Sequence, residues 1–466
     1  MSLRENLYEA MIMAGRPLLH LAAPFNRKIR QGLRGRRVTL HRLAEWSFLY
    51  RDRERPLVWF HAPSVGEGLM AQAIIAALRE RRPDVQVAFT HFSPSAEKLA
   101  DRLGADVNAY LPWDMRYDVR RALDFLQPSA IAFVRTEVWP ILTREARLRK
   151  VHMALVNAVL PEGSSRLGSG ARVLLEPVYR RLEMVGAVTE DHAARYTRMG
   201  VPAGRVQVTG DARFDQVWRR AESLGLRSWR AEIDVNGRLW EIVSGRPKDW
   251  DEPKDWDEAG GERRRPLVRL LHDPEAMTLV AGSTWPGDEK VVVPAFAAAE
   301  RTRRVRLIIA PHEPTEAHVS ALERRLDRHG MSHARVGALE MAGRSLPEVV
   351  VVDRVGVLAE LYALASAAYV GGGFHAAGLH SVVEPAALGV PVLFGPGHGN
   401  AREAGELLEA GGAVVVETPA DMKRWLFTFQ SDQEARRRMG QAAEAYVRSQ
   451  LGAAGRNAQL ILDLLS

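Results

Sequence analysis

The feature that most constrains the fold is an alternation of short apolar runs with helical patterns. Leu57–Ala62, Val85–Thr90, Ala130–Val134 and Met153–Asn157 read as buried strands, with helices at Leu69–Leu78, Ala96–Leu103 and Tyr117–Leu126 between them. Strands apolar along their whole length and separated by helices belong to parallel sheets covered on both faces. The pattern stops from about Ser223 to Arg265, where the chain turns polar and repeats a hexapeptide, PKDWDEPKDWDE, from Pro247. A charged, proline-bearing repeat is a solvated linker or insertion rather than core. Alternation resumes with strands at Met277–Ala281, Val305–Ala310, Val349–Val352, Ala367–Val370 and Pro391–Phe394. Helices are expected at Asp288–Glu300, Glu316–Arg325, Leu358–Ala365 and Val382–Leu388. The 466 residues exceed what one core usually organises. Two doubly wound α/β domains follow, at 43–222 and 267–450 with 223–266 between them, facing a central cleft at the carboxyl ends of their strands. An apolar helix at Ala453–Leu465, within 451–466, is placed to cross back to the first lobe.

Composition narrows the chemistry. There are no cysteines, which removes disulfides, thiolate zinc sites and cysteine nucleophiles and fits a reducing compartment. The formal charge of +7 asks for an anionic partner. Much of the excess sits in residues 1–42, where Arg27, Lys28, Arg30, Arg34, Arg36, Arg37 and Arg42 follow one another without an acid. Before them, Leu7, Tyr8, Met11, Ile12, Leu18, Leu19 and Leu21 recur at helical spacing, interrupted by Arg4, Glu5, Glu9, Arg16 and Pro17. These interruptions leave less than the ~18 uninterrupted apolar residues of a membrane span. An amphipathic helix and a basic cluster suit the surface of an anionic bilayer; a basic helix pair packed on the domain is the alternative. No helix-turn-helix, zinc knuckle or RNA-binding signature accompanies the charge, so nucleic acid is not expected.

Ligand-bearing residues should follow the strands. His61-Ala62-Pro63-Ser64-Val65-Gly66-Glu67-Gly68 sets a carboxylate between glycines at a strand-to-helix turn. Glu67 there either complements the helix dipole or faces a ligand. Arg135-Thr136-Glu137-Val138-Trp139-Pro140 places a second acid after another strand, and Gly210-Asp211-Ala212-Arg213-Phe214-Asp215 a cation near the domain boundary. In the second half, AGST (Ala281–Thr284) with Ser283 and Thr284, APHEP (Ala310–Pro314), Gly356 and Gly371-Gly372-Gly373 all end strands. Ser64, Gly66, Ser283, Thr284, Gly372 and Gly373 are candidates to line the cleft. Glycines at a strand end expose N–H groups to a nucleotide phosphate, and Glu384 can accept from ribose hydroxyls. The glycine-helix-EPAALG-strand block, Gly378 to Pro391, is the pattern of a sugar-nucleotide transferase of the two-lobed GT-B kind.

Taken in order, SVGE, TEVWP, GDARFD, AGST, APHEP, D-x-x-G-x-L and GLHSVVEPAALGVPVLFGP resemble the 3-deoxy-D-manno-octulosonic acid (Kdo) transferases of lipopolysaccharide synthesis. The resemblance implies an inverting enzyme that moves Kdo from CMP-Kdo to a lipid A precursor (lipid IVA), peripheral on the cytoplasmic face of the inner membrane. It implies Glu67 as general base and Glu137 and Arg213 as stabilisers of the transition state. His312, Glu313, Gly356, Val357, Leu358, Ser381, Val382, Val383 and Glu384 match its CMP-binding positions. Four places depart from the family pattern: Arg213 stands for lysine, Asp211, Ile141 and Ser381 for asparagine. Arginine keeps the charge in a planar fork rather than a point ammonium. No cofactor is expected, and no metal, because no DxD-type acidic pair sits beside the nucleotide motifs. Two other readings are a different GT-B enzyme, a retaining transferase or UDP-sugar epimerase, and a non-catalytic glycan- or membrane-binding relative. Against the first, Val392 stands where retaining members carry a second glutamate, eight residues after Glu384. CMP binding separates the second from an enzyme.

Overall fold

The computed structural model describes residues 3–227, 230, 265–273, 275–299, 304–342 and 346–466. The hexapeptide repeat, with Trp250 and Trp256, lies outside them. The chain divides into two compact units, Met1–Gln216 with Gln450–Ser466, and Val217–Ser449.

The first unit holds strands β1 (Leu57–His61), β2 (Gln86–His91), β3 (Val107–Tyr110), β4 (Ala130–Val134), β5 (His152–Ala158), β6 (Met184–Ala187) and β7 (Val206–Val208). They form one parallel sheet in the order β3-β2-β1-β4-β5-β6-β7. Every residue of β1, β2 and β4 is buried, which is why these strands read as continuous apolar runs. The second unit repeats the plan with β8 (Met277–Thr284), β9 (Val305–Pro311), β10 (His333–Arg335), β11 (Val349–Val351), β12 (Ala367–Val370), β13 (Val392–Phe394) and β14 (Ala413–Val415). Its order is β10-β11-β9-β8-β12-β13-β14, again all parallel. The strand order reverses between β1 and β4 in one sheet and between β8 and β12 in the other. Open parallel sheets take ligands at that point, beyond the carboxyl ends of the strands.

Local boundaries differ from the sequence reading in identifiable ways. The helix expected at Ala96–Leu103 is a 3₁₀ turn, Pro94–Ala96, and a single α-turn, Glu97–Ala100, because Pro94 and the left-handed Gly104 bracket it. The helix expected from Asp288 starts at Pro286 and ends at Ala297. The last helix, Ala453–Asp463, packs on Val65–Arg81 and beside β5 and β6, so the C-terminal segment completes the first unit.

The leader forms two helices, Leu3–Ala22 and Arg27–Tyr50, and the second runs on without a break past Arg42. Asn26 caps it, its side chain accepting from the N–H of Lys28 at 3.0 Å and of Ile29 at 3.2 Å. Leu33, Leu43 and Trp46 are buried. The first helix is turned the other way round from an ordinary amphipathic helix. Its buried residues are Glu5 and Glu9, whereas Leu3, Leu7, Met11, Leu18 and Leu21 are exposed. Glu5 pairs with Arg181 and with Arg144 (3.4 Å), and Glu9 with Arg116, whose N–H it also accepts at 2.7 Å. The exposed apolar face continues to Phe25, 92% accessible. No helix among the described residues is long and apolar enough to cross a membrane.

Candidate functional site

In the first unit the carboxylates anticipated from sequence flank the reversal of strand order. Glu67 lies in the first turn of Val65–Arg81, directly after β1, and Glu137 follows β4. The Ser64 hydroxyl donates to Glu67 Oε2, and Arg135 Nε stands 3.9 Å from Oε1. Gly66 is exposed beside them. Burial holds the Glu137 carboxyl above its ordinary range, Arg166 at 3.8 Å pulls it back, and Glu67 pushes it up. That mutual repulsion places the two acids in one electrostatic neighbourhood.

Arg213 joins them through a buried acid. Its Nε and Nη2 donate to Asp211 Oδ2 at 2.8 and 2.7 Å, and its N–H to Oδ1 at 3.0 Å. Burial raises the Asp211 carboxyl, but Arg213 and Arg135 outweigh it, so the group stays below the usual carboxylate range. Asn157 Oδ1 accepts from the Ala212 N–H at 2.7 Å, and the Asn157 N–H donates to Asn457 Oδ1 at 2.9 Å. The departures at 211 and 213 therefore go together, since the planar fork of arginine has its own carboxylate partner. Arg135 carries a left-handed φ of 77° at the end of β4. Sequence reasoning gave it no role, although its place between the strand and Glu137 was the available signal. His61 and Trp139 have ring centroids 6.0 Å apart, and His61 Nε2 and Trp139 Nε1 are both buried without a hydrogen-bond partner among the described residues. Burial drives the His61 imidazole down to about 3, so it is neutral.

The second unit brings its glycine loops together backbone against backbone. Asp288, fully buried, accepts from the Trp285 N–H (2.8 Å), the Gly372 N–H (2.9 Å) and the Tyr369 hydroxyl (2.9 Å). It thereby ties the end of β8 to the loop after β12. Gly372 has φ 101°, and a Cβ there would stand 2.2 Å from the Gly378 carbonyl oxygen, so only glycine fits. Gly373 is buried likewise, and Thr284 is fully buried with its hydroxyl bonded to Glu289 at 3.4 Å. Of the lining candidates here, Ser283 alone presents a partly exposed side chain, with φ 54°.

The nucleotide-position residues separate into two kinds. His312 is partly buried, its N–H donating to Thr284 O at 2.9 Å, and Glu313 is exposed. Gly356 has φ 90° and is exposed, Val357 and Leu358 are half-buried, and Leu358 begins Leu358–Ala363. Ser381 is exposed, but Val382 and Val383 point into the core, leaving only their backbones for a ligand. Burial raises the Glu384 carboxyl, against the pull of Arg220 at 3.7 Å. Sequence reasoning missed Trp285. Its ring stacks on His375 (3.8 Å between centroids) and His312 (4.9 Å), and His312 stacks on His380 (4.2 Å). Burial pushes His380 below its ordinary value, and His312 and His375 add to the shift. These flat, partly exposed rings offer a stacking surface to a base.

Comparison with known proteins agrees with the motifs. The family model described as 3-Deoxy-D-manno-octulosonic-acid transferase (kdotransferase) matches residues 37–216. A 3-deoxy-D-manno-octulosonic acid transferase of Haemophilus influenzae is 24% identical over 432 residues, 91% of this chain and 90% of that protein. The Bordetella pertussis transferase of the same name is 28% identical over 424 residues, 88% of this chain and 87% of that one. Among solved structures, UDP-GlcNAc 2-epimerase from Neisseria meningitidis bound to UDP-GlcNAc superposes with a TM-score of 0.57 at 14% identity, covering 88% of this chain and 99% of that one. That likeness is one of fold, the two-lobed GT-B class.

Proposed function

We propose that this chain, a glycosyltransferase related to the Kdo transferases along nine-tenths of its length, moves Kdo from CMP-Kdo to a phosphorylated lipid A precursor with inversion at the anomeric carbon. The observation that carries the reading is the pair Glu67 and Glu137 on either side of the reversal in the first sheet. Glu67 takes the proton of the acceptor hydroxyl, whose oxygen attacks the anomeric carbon as the bond to the CMP oxygen breaks. Ser64 and Arg135 orient the Glu67 carboxylate for that transfer. Glu137 and Arg213 steady the charge that develops, with Asp211 fixing the guanidinium. On the donor side, the His312–Trp285–His375–His380 rings, the backbone of Ser381–Val383 and the Glu384 carboxylate receive CMP.

The reading extends to the membrane. With Glu5 and Glu9 turned inward, the apolar face of Leu3–Ala22 is left to the outside, continuous with the basic helix that follows. An interface of acyl chains and anionic headgroups matches both, giving peripheral attachment at the cytoplasmic face of the inner membrane.

Glu67→Gln tests the chemistry. With CMP-Kdo and lipid A precursor at saturation, turnover should fall roughly 10²–10⁴-fold while CMP binding is retained. Turnover near wild type would take the base role away from Glu67.

A further inference from the structure

The two leader helices and the segment after β3 enclose a pocket of about 270 Å³ on the first unit. Arg16 and His20 enter it from the first helix, Arg36 and Arg37 from the second, and Trp113 and Asp118 from the segment beyond β3. Three guanidiniums thus share one cavity with a single carboxylate. Burial raises the Asp118 carboxyl above its ordinary value, and Arg16 is the cation that opposes this. Arg16 and Arg36 also lie over ring faces. Arg16 lies over Trp113 at 5.1 Å and Arg36 at 5.2 Å, with Arg36 also over Phe92 at 4.2 Å. Their other bonds are long: Arg16 to Met115 Sδ at 3.5 Å, and Arg36 to the Gly32 and Phe92 carbonyls at 3.4 Å each. Burial lowers Arg36 to about 10. Among the described residues Arg36 has no carboxylate partner, and a desolvated cation of that kind calls for a counter-anion.

The rest of the geometry defines what that anion is attached to. An open apolar groove along Met13, Pro17 and Leu21 shares Arg16 and His20 with the pocket, so the ligand is charged at one end and apolar at the other. A carboxylate fills one guanidinium fork, whereas a tetrahedral phosphoryl group can accept from three directions at once. We propose that this pocket seats the phosphoryl group of a lipid, namely the phosphate of the acceptor itself. The assignment to the acceptor rests on the transferase reading above. Trp113 follows β3, and β3 lies two strands from β1, which carries Glu67 at its end. Two strand spacings are about 10 Å, a span that one or two sugar rings cover. Phe92, stacked on Trp139 at 5.7 Å and lying under Arg36, joins the pocket to the segment that bears Glu137.

The test uses the full chain, the double variant Arg16→Gln/Arg37→Gln, and Arg27→Gln/Lys28→Gln as a control that removes equal charge from the same leader. Calorimetric titration with dihexanoyl phosphatidic acid, dihexanoyl phosphatidylglycerol and inorganic phosphate gives the binding arm. Phosphatidic acid should bind best, and the pocket variant should weaken it about tenfold or more while the control stays within twofold. Inorganic phosphate binding as tightly as phosphatidic acid would overturn the lipid assignment. Equal loss in the control, or no loss in the pocket variant, would overturn the site. In the kinetic arm the pocket variant should raise KM for the phosphorylated acceptor about tenfold, leave kcat within twofold, and lose the wild type's preference over chemically dephosphorylated acceptor. A kcat loss without a KM change would remove the acceptor from the pocket. A wild-type protein that transfers no sugar would sink the transferase reading, while the lipid titration would still decide whether the pocket holds a phosphoryl group.

Discussion

Asp288 is the point at which the second unit's glycine loops can be taken apart one bond at a time. Its carboxylate accepts three hydrogen bonds inside the protein, two from main-chain N–H groups and one from Tyr369. Hydrogen bonds to a charged acceptor contribute about 1.5–3 kcal/mol each, and a buried donor left without a partner adds its own cost. Asp288→Ala should therefore destabilise the second unit by about 4.5–9 kcal/mol. At about 2–4 °C per kcal/mol for a domain of this size, its melting transition should fall by roughly 9–36 °C. Asp288→Asn keeps the shape. One oxygen can still accept from both N–H groups, since both bond to the same Oδ2, and the amide nitrogen can donate to the Tyr369 oxygen. Only the charge assistance is lost, about 1–2 kcal/mol, or roughly 2–8 °C. Differential scanning calorimetry with CMP titration reads both effects: affinity for CMP should collapse in the alanine variant and survive in the asparagine one. An alanine variant that melts within 2 °C of wild type and binds CMP normally would refute the argument that Asp288 holds the two loops together.

Three further outcomes are expected. Burial raises the Asp114 carboxyl to about 6 against the N–H groups of Ile141 and Leu142, so the folded protein binds its proton more tightly than the unfolded chain does, whose Asp titrates near ~3.9. Its contribution to stability is then complete below pH ~4 and lost as pH rises through about 6; the melting temperature of wild type minus that of Asp114→Asn should fall across that window, and a flat difference counts against it. In flotation with anionic vesicles, deletion of residues 1–42 should abolish binding, while the intact chain should lose part of its binding in 1 M salt and keep the rest through Leu7, Met11 and Leu18; equal, salt-independent binding by both would assign the membrane contact elsewhere. Turnover should persist in EDTA, and activity abolished by the chelator and restored by Mg²⁺ would show that the donor phosphate needs a metal.

The strands were legible because burial on both faces makes them continuous apolar runs, and the motifs were legible because parallel strands deliver their loops to one edge. Leu57–His61 followed by Glu67, and Ala130–Val134 followed by Glu137, needed no more than that. The leader's inward face was not legible. Periodicity shows that a helix has two faces but not which one the protein takes, and here the deciding partners of Glu5 and Glu9 are Arg116, Arg144 and Arg181, more than a hundred residues away. Arg213 was visible as a cation, but its bond to Asp211 depends on a turn held by Asn157 and Asn457. Trp285 was missed for the same reason: its ring acquires meaning only when His312 after β9 and His375 and His380 after β12 close around it.

The return of the C-terminal segment to the first unit also bears on how the protein is made. The second unit, Val217–Ser449, is contiguous in the chain and is fully synthesised while the first still lacks its final helix. During translation the first unit therefore waits, with the Asn157 N–H and the Thr209 hydroxyl deprived of the Asn457 oxygen that later receives both. Asp215, which accepts from the N–H groups of Gly452 and Ala454, lacks those partners for the same interval. At ~5–20 residues per second, Gln450–Ser466 follow the second unit within about 1–3 seconds. The turn that positions Asp211 and Arg213 is completed only once Asn457 has been added. A nascent chain stalled before residue 450 would carry every recognisable motif and still lack that support.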